Sequence, residues 1–167
     1  TTIHAMGCFD ETDDLSLEFL GMHGNPAANY AIQSADLIIA LGTRFDDRIT
    51  GKVDSFAPNT FEAFINGYGG IIHVNINDNE IGNIIESQFN FNMDCKDFLE
   101  QINPFLEFKS RINWFEKIKK WKLDYPFKYT EYKNKIKTQQ VIEGINNFLL
   151  EKKVKNYFIS TGVGNHQ

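Results

Sequence analysis

The sequence has little cysteine, no long apolar run and no excess of positive charge. Cys8 and Cys95 stand alone, without a CxxC pair or a nearby pair of histidines, so we expect a reduced, intracellular chain without a metal site. No run approaches the roughly 20 apolar residues of a membrane-spanning helix. The net charge of -5 argues against general nucleic-acid binding, which needs a basic face. Because the chain begins at Thr1 and stops at Gln167 in what looks like a site loop, we expect a piece of a longer protein.

One stretch, residues 25–51, organises the chain. Asn25 is a good N-cap and Pro26 suits the first helical position, so a helix is predicted from there. The run LIIAL that follows Asp36 is apolar on both faces, which is typical of a central parallel strand covered by helices. Arg44, Asp46, Asp47 and Arg48 come directly after that strand. Ligands of open α/β sheets bind at this end of the strands.

Further elements alternate in the same way. Strands are predicted at residues 71–76 and 89–91, and Asp94 is predicted to cap a helix that carries apolar side chains as far as Leu106. Residues 52–70 read as a loop with at most a helical turn, and residues 1–7 as the end of a strand with its loop. We therefore expect a parallel α/β domain over residues 1–107.

A second unit follows a helix and linker at residues 108–135. The helix is predicted to be capped by Ser110 and to end near Tyr125. From residue 136 a helix capped by Thr138 and a strand at residues 155–160 lead to a glycine loop. Residues 136–167 thus read as the start of a second α/β domain.

The charged loop after the LIIAL strand has two interpretations. Arginines can bind phosphate oxygens with a rigid fork of donors, while the aspartates orient them or accept from hydroxyl groups. Alternatively, Arg44 and Arg48 form a surface ion-pair loop. His23, between two glycines, is either a plain loop histidine or part of a loop that wraps a flat ring, and His73 is predicted to be structural. Without a G-x-G-x-x-G or Walker A pattern, these residues indicate a nucleotide-like ligand and no particular reaction.

Several motifs together resemble one family. The segment LGMHGNPAANYAIQSADLIIALGTRFDDRITGK, then IIHVNIN, the aromatic and lysine spacing of residues 114–126, and STGVGNHQ are similar to the catalytic subunit of the acetohydroxyacid (acetolactate) synthases. The resemblance implies most of a central FAD-binding domain and the beginning of a thiamine diphosphate-binding domain. It implies the condensation of two pyruvates, or of pyruvate and 2-oxobutanoate, to acetohydroxyacids with release of CO₂. The alternatives are another FAD-carrying thiamine diphosphate carboligase or decarboxylase, or a non-catalytic nucleotide-binding module.

The resemblance also implies site residues. FAD would contact the loop before the first helix, the loop after the LIIAL strand and the ends of the next strands, namely Leu20, Gly21, Met22, His23, Gly24, Gly42, Arg44, Asp46, Arg48, Ile49, Asn75, Ile76, Glu80, Asp94 and Cys95. Thiamine diphosphate would contact Val163, Gly164, Asn165 and His166. The family usually has glycine where Met93 stands, often an acid at Asn75, and glutamine at Asn165.

The resemblance places the chemistry outside this chain. The activating glutamate and the Mg²⁺ ligands would lie elsewhere in the protein, so no catalytic residue is expected here and the isolated chain should be inactive. The implied assembly is a homo-oligomer, a dimer or tetramer, which could also bind a regulatory small subunit. The glycine-rich residues 67–70 resemble the fungal branch, which implies a mitochondrial location; a plastid or cytoplasmic location is the alternative.

Overall fold

The computed structural model describes residues 1–126, 128–162 and 164, in two compact units, Thr1–Pro126 and Phe127–Gln167. The first unit contains α1 (Pro26–Ser34), β1 (Leu37–Leu41), α2 (Asp47–Thr50), α3 (Pro58–Ile65), β2 (Gly70–Asn75), β3 (Phe89–Asn92), α4 (Cys95–Ile102) and α5 (Ile112–Asp124). The second contains α6 (Thr138–Glu151). None of the helices in the described residues is long and apolar enough to cross a membrane.

The three strands form one parallel sheet in the order β1-β2-β3, which confirms the predicted α/β fold. The core lies on one face of the sheet and is formed by Ile38, Ala40, Phe45, Phe56, Ala57, Ile71 and Ile85. The helix predicted from Pro26 is confirmed: the Asn25 side chain accepts from the Ala27 N–H, and Ala27, Ala28 and Ala31 are buried. Alanine is small enough for close packing of this helix.

The interpretation of β1 as a central strand is wrong for the described part of the chain. β1 lies at one edge of the sheet, and its residues alternate between exposed and buried. Leu37, Ile39 and Leu41 remain 44%, 44% and 41% exposed. An apolar run indicates a strand that is suited to burial on both faces. It does not show which elements cover those faces.

Three other assignments also differ. Residues 58–65, predicted as loop, form α3, because Pro58 occupies the first helical position rather than breaking a helix. Residues 3–5 form a turn of 3₁₀ helix where the end of a strand was expected. α4 ends at Ile102, and Pro104 lies in a following 3₁₀ turn, so Phe105 and Leu106 lie outside the helix.

Helix starts and the last predicted strand were also partly misassigned. The N-cap of α5 is Arg111 rather than Ser110, and that of α6 is Lys137, so Thr138 is already helical. Residues 155–160 form no strand, and Phe158 is fully exposed. An extended segment becomes a strand only when a neighbouring strand forms backbone hydrogen bonds with it. The sequence pattern of the segment does not show whether such a neighbour is present.

Candidate functional site

Two loops meet at the carboxyl end of β1. The first, residues 20–24, precedes α1, and the second, residues 43–50, follows β1 and includes α2. The Met22 N–H donates a hydrogen bond of 2.7 Å to the Arg48 carbonyl oxygen. The structure therefore brings together the two motifs that the sequence analysis singled out separately.

Glycine is required where these loops touch. Gly21 has φ +112°, and a Cβ there would lie only 2.4 Å from the Arg48 carbonyl oxygen. The loop is also held from the other side, because the Asn29 side chain accepts from the Gly21 N–H at 2.8 Å and donates to its carbonyl at 3.0 Å. The backbone of residues 20–24 is thus fixed by α1 and by the charged loop together.

The charged side chains themselves are open to solvent. Arg44 lies 3.6 Å from Asp46 and Arg48 lies 3.8 Å from Asp47, with both arginine side chains at least 60% exposed. Asp46 also caps α2 by accepting from the Arg48 N–H. Exposed ion pairs of this kind contribute only about 0–1 kcal/mol, so the guanidinium groups can exchange these partners for an anionic ligand. Both interpretations of the loop are therefore compatible with its geometry.

The ends of all three strands lie beside this loop. The Gly42 N–H bonds to the Val74 carbonyl at 2.8 Å, and a Cβ at Gly42 would lie 3.7 Å from the Cys95 sulfur at the start of α4. Asn92 donates to the carbonyls of Asn75 and Ile76, both at 3.0 Å. Gly42, Asn75, Ile76 and Cys95 are thus gathered at one edge, as ligand sites of parallel sheets require.

Sequence reasoning did not predict the hydrogen bonds that hold this edge. His73 is fully buried in β2, as the structural role predicted for it requires. Its Nε2 lies 2.9 Å from the Thr43 carbonyl, so this nitrogen carries the proton, and Nδ1 accepts from the Gly82 N–H at 3.4 Å. Asn75 donates to the same Thr43 carbonyl at 3.1 Å. The backbone after β1 is therefore anchored by two side chains of β2, a link between positions about thirty apart.

The remaining predicted residues lie around this edge. Met22 is 64% exposed, His23 is exposed, and Leu20, Gly24 and Ile49 are half-buried. Asp94 caps α4 by accepting from the Lys96 N–H at 2.7 Å. Burial and the charge of neighbouring Asp94 raise the pKa of the Cys95 thiol. Glu80 lies in the 3₁₀ turn after β2.

The sites predicted in the second unit fall mostly outside the described residues. Val163, Asn165 and His166 lie outside the described residues, whereas Gly164 is described and lies in a bend. In the described residues no cluster of His, Cys, Asp or Glu could hold a metal ion.

Comparison with known proteins identifies relatives of the whole chain. Residues 1–102 match the family described as thiamine pyrophosphate enzyme, central domain. The acetolactate synthase catalytic subunit, mitochondrial, of Saccharomyces cerevisiae is 41% identical over 170 residues, covering 100% of this chain and 25% of the relative. The acetolactate synthase, mitochondrial, of Schizosaccharomyces pombe is 40% identical (100% and 26%), and the probable acetolactate synthase 2, chloroplastic, of Oryza sativa subsp. japonica is 36% identical (100% and 25%). The chain spans about a quarter of the length of these relatives.

Proposed function

Because the chain belongs to the thiamine pyrophosphate enzyme family through its central domain, we propose that it is the flavin-holding part of an acetolactate synthase catalytic subunit. The proposed reaction joins two pyruvates, or pyruvate and 2-oxobutanoate, with release of CO₂. The names and full-chain identities of 34–42% of the relatives support this proposal. Within the protein, residues 1–107 are the central domain, residues 108–135 a linker, and residues 136–167 the start of the thiamine diphosphate-binding domain.

The observation that carries the flavin proposal is the hydrogen bond between Met22 and Arg48. It fixes a glycine-flanked loop against a loop with two arginines, at the carboxyl end of a parallel sheet. FAD has a diphosphate, which suits guanidinium forks, and a flat ring, which needs closely approachable backbone. Gly42 offers such bare backbone next to the Cys95 thiol. The residues present therefore fit the cofactor.

Each group of residues has a proposed role. Arg44 and Arg48 neutralise the diphosphate, and Asp46 orients them while it caps α2. Residues Leu20, Gly21, Met22, His23, Gly24, Gly42 and Ile49 contact the rest of the cofactor, with Asn75, Ile76, Glu80, Asp94 and Cys95 at the ends of β2 and β3. The Asn75 side chain already bonds to Thr43 and Asn77, so it would shape the site mainly by holding backbone.

The reaction itself would depend on groups beyond these loops. Thiamine diphosphate supplies the electron sink for decarboxylation, and the protein supplies positioning. Val163, Gly164, Asn165 and His166 would contribute contacts to it, with Mg²⁺ held by ligands outside this chain. We expect the isolated chain to form no acetolactate from pyruvate; detectable product from it would contradict this division of labour.

We also propose an assembly and a location, and the names of the relatives support the location. We propose a homo-oligomer, a dimer or tetramer, that accepts 2-oxo acids and could bind a regulatory subunit. A mitochondrial location is proposed because the S. cerevisiae and S. pombe relatives, at 41% and 40% identity, carry that term in their names. The plant relatives are named chloroplastic and are 34–36% identical.

The flavin assignment can be tested on the purified full-length protein that contains this chain. We expect bound FAD, and about tenfold weaker FAD binding in Arg44→Ala, because a hydrogen bond to a charged group is lost. Arg44→Lys should lie between the two, since it keeps the charge without the fork. Lys119→Ala, an exposed cation on α5, is the matched control and should bind FAD normally.

The outcomes separate the alternatives. Protein without flavin that also fails to bind added FAD would overturn the cofactor proposal. Protein that binds FAD and yet releases no CO₂ from pyruvate in the presence of thiamine diphosphate and Mg²⁺ would be a non-catalytic nucleotide-binding module. Activity towards a different 2-oxo acid would indicate another thiamine diphosphate carboligase or decarboxylase.

A further inference from the structure

A second cleft lies at the opposite end of the sheet from the flavin loops. It has a volume of about 820 Å³ and lies at the amino end of β1, within the unit Thr1–Pro126. Its polar and aromatic lining comes from three separate parts of the sequence, namely Ser34 and Asp36, then Tyr68, then Lys109, Arg111 and Trp114. Small-molecule sites have volumes of roughly 300–1,000 Å³, so a cofactor-sized ligand fits.

The two cations of this cleft, Lys109 and Arg111, lack acidic partners in the part of the chain that the structure describes. Among the described residues, neither Lys109 nor Arg111 forms an ion pair, in contrast to Arg44 and Arg48. Within the described part of the chain, the Arg111 guanidinium donates only to the Lys109 carbonyl, at 3.3 Å. The acid that lines the cleft with them is Asp36. Two cations that line one cleft repel each other, and an anion bound between them would offset that repulsion.

Two aromatic rings line the same cleft. Tyr68 is 57% exposed, so its ring is available to a ligand. Trp114 is half-buried and held in place, because it packs edge-on against Trp121 with ring centroids 6.1 Å apart, and the Lys117 ammonium lies 5.9 Å from its ring. Aromatic side chains beside cations suit a ligand that combines a planar ring with a negative charge.

We propose that this cleft binds a nucleoside monophosphate. The phosphate would bind Lys109 and Arg111, and the base would stack on Tyr68 or Trp114. Asp36 would accept a hydrogen bond from a ribose hydroxyl, which gives its carboxylate a favourable role next to the anion. No side chain caps α5 at Arg111, so free N–H groups of the first helical turn add to the positive potential there.

The test measures binding of adenosine 5′-monophosphate by equilibrium dialysis to the full-length protein saturated with FAD. Saturation keeps the adenosine part of the flavin site occupied. We expect one equivalent of AMP to bind, and about tenfold weaker binding in Lys109→Glu and in Arg111→Glu, because a charge-assisted hydrogen bond is lost in each. Lys119→Glu, the same change on an exposed α5 lysine outside the cleft, should bind as the parent does.

The aromatic contribution is tested separately. Tyr68→Phe should keep the affinity for AMP, and Tyr68→Ala should lower it. The affinity for inorganic phosphate, measured by its competition with AMP, should stay unchanged in both variants. Thermal unfolding of each variant shows that the fold is retained. Absence of AMP binding, an equal loss in Lys119→Glu, or inorganic phosphate competing as well as AMP would each overturn the proposal.

Discussion

The two ends of the parallel sheet present their cations in different ways. At the carboxyl end, Arg44 and Arg48 follow a strand in one short loop and are ion-paired to neighbouring aspartates. At the amino end, Lys109 and Arg111 line one cleft with Tyr68, which comes from a distant segment, and they have no acidic partner in the described residues. The first arrangement is a contiguous motif, visible in sequence. The second exists only after folding.

At each end of the sheet, one glycine packs against a backbone carbonyl group. Gly21 lies against Arg48 at the carboxyl end, and Gly69 lies against Asp36 at the amino end. The two contacts differ in what they join. Gly21 joins two loops, whereas the Gly69 turn leads into β2, where the Gly70 N–H donates to the Asp36 carbonyl at 2.9 Å. A substitution of Gly69 at the amino end should therefore lower stability, and a substitution of Gly21 at the carboxyl end should weaken cofactor binding.

The largest effect is expected at Gly69. A Cβ there would lie 2.0 Å from the Asp36 carbonyl oxygen and 2.9 Å from the Ala63 Cβ, with φ at +68°. We expect Gly69→Ala to lower the free energy of unfolding by about 3 kcal/mol, because the junction of β1 and β2 must shift. This change in the free energy of unfolding is measured by urea denaturation of the full-length protein, monitored by tryptophan fluorescence.

The control for Gly69 is in the same turn. Gly67 also has a positive φ, of +86°, but a Cβ there would meet nothing within 4 Å. Gly67→Ala should therefore cost only about 1 kcal/mol, the backbone term alone. Equal losses for the two variants would show that the contact with Asp36 does not matter.

Gly21→Ala should mainly lower the affinity for FAD. Its Cβ would displace the Arg48 carbonyl and with it the hydrogen bond from Met22, so we expect about tenfold weaker FAD binding. Gly51→Ala is the matched control, since Gly51 has φ +60° just after α2 and open space around it. Titration with FAD, monitored by flavin fluorescence, compares the two. Unchanged affinity in Gly21→Ala would contradict the proposed role of the loop contact.

Local chemistry explains what could be predicted from sequence. Asn25 with Pro26, and Asp94 before α4, specify helix starts through backbone hydrogen bonds that involve only nearby residues. β1 and β2 were recognised because their apolar runs are short and bounded by turn residues. The charged loop after β1 was singled out because the carboxyl end of a parallel strand is adjacent in sequence to the loop that follows it.

Several of the failures share a physical cause, which is dependence on partners far away in sequence. Among the described residues, the segment 155–160 has the composition of a strand but no neighbouring strand, and β1 has the composition of a central strand but lies at an edge. Pro58 resembled a loop marker, although Thr60 of the helix it begins is buried and donates to the Ala35 carbonyl at 2.8 Å. The anchoring of Thr43 by His73 and Asn75 likewise joins distant positions.

Cys95 offers a probe of the carboxyl end with an internal reference. Its half-buried thiol lies next to Gly42, whereas Cys8 is exposed and far away in sequence. We expect FAD to slow alkylation of Cys95 by iodoacetamide several-fold and to leave Cys8 unaffected, as read by peptide mass spectrometry of the full-length protein. Equal protection of both thiols would indicate a general effect on the fold, and protection of neither would remove Cys95 from the site.

The smallest expected effect concerns the charge beside that thiol. Burial and, secondly, Asp94 raise the pKa of Cys95, so the reactive thiolate is scarce at neutral pH and alkylation should accelerate as pH rises towards the pKa. Asp94→Asn removes the nearby negative charge, which lowers that pKa and speeds alkylation at a fixed pH below it. Asparagine caps helices as well as aspartate does, so α4 should keep its start. Asp97→Asn, in the same helical turn, is the control and should leave the rate unchanged. A rate that is unchanged in Asp94→Asn as well would mean that burial alone sets the reactivity of this thiol.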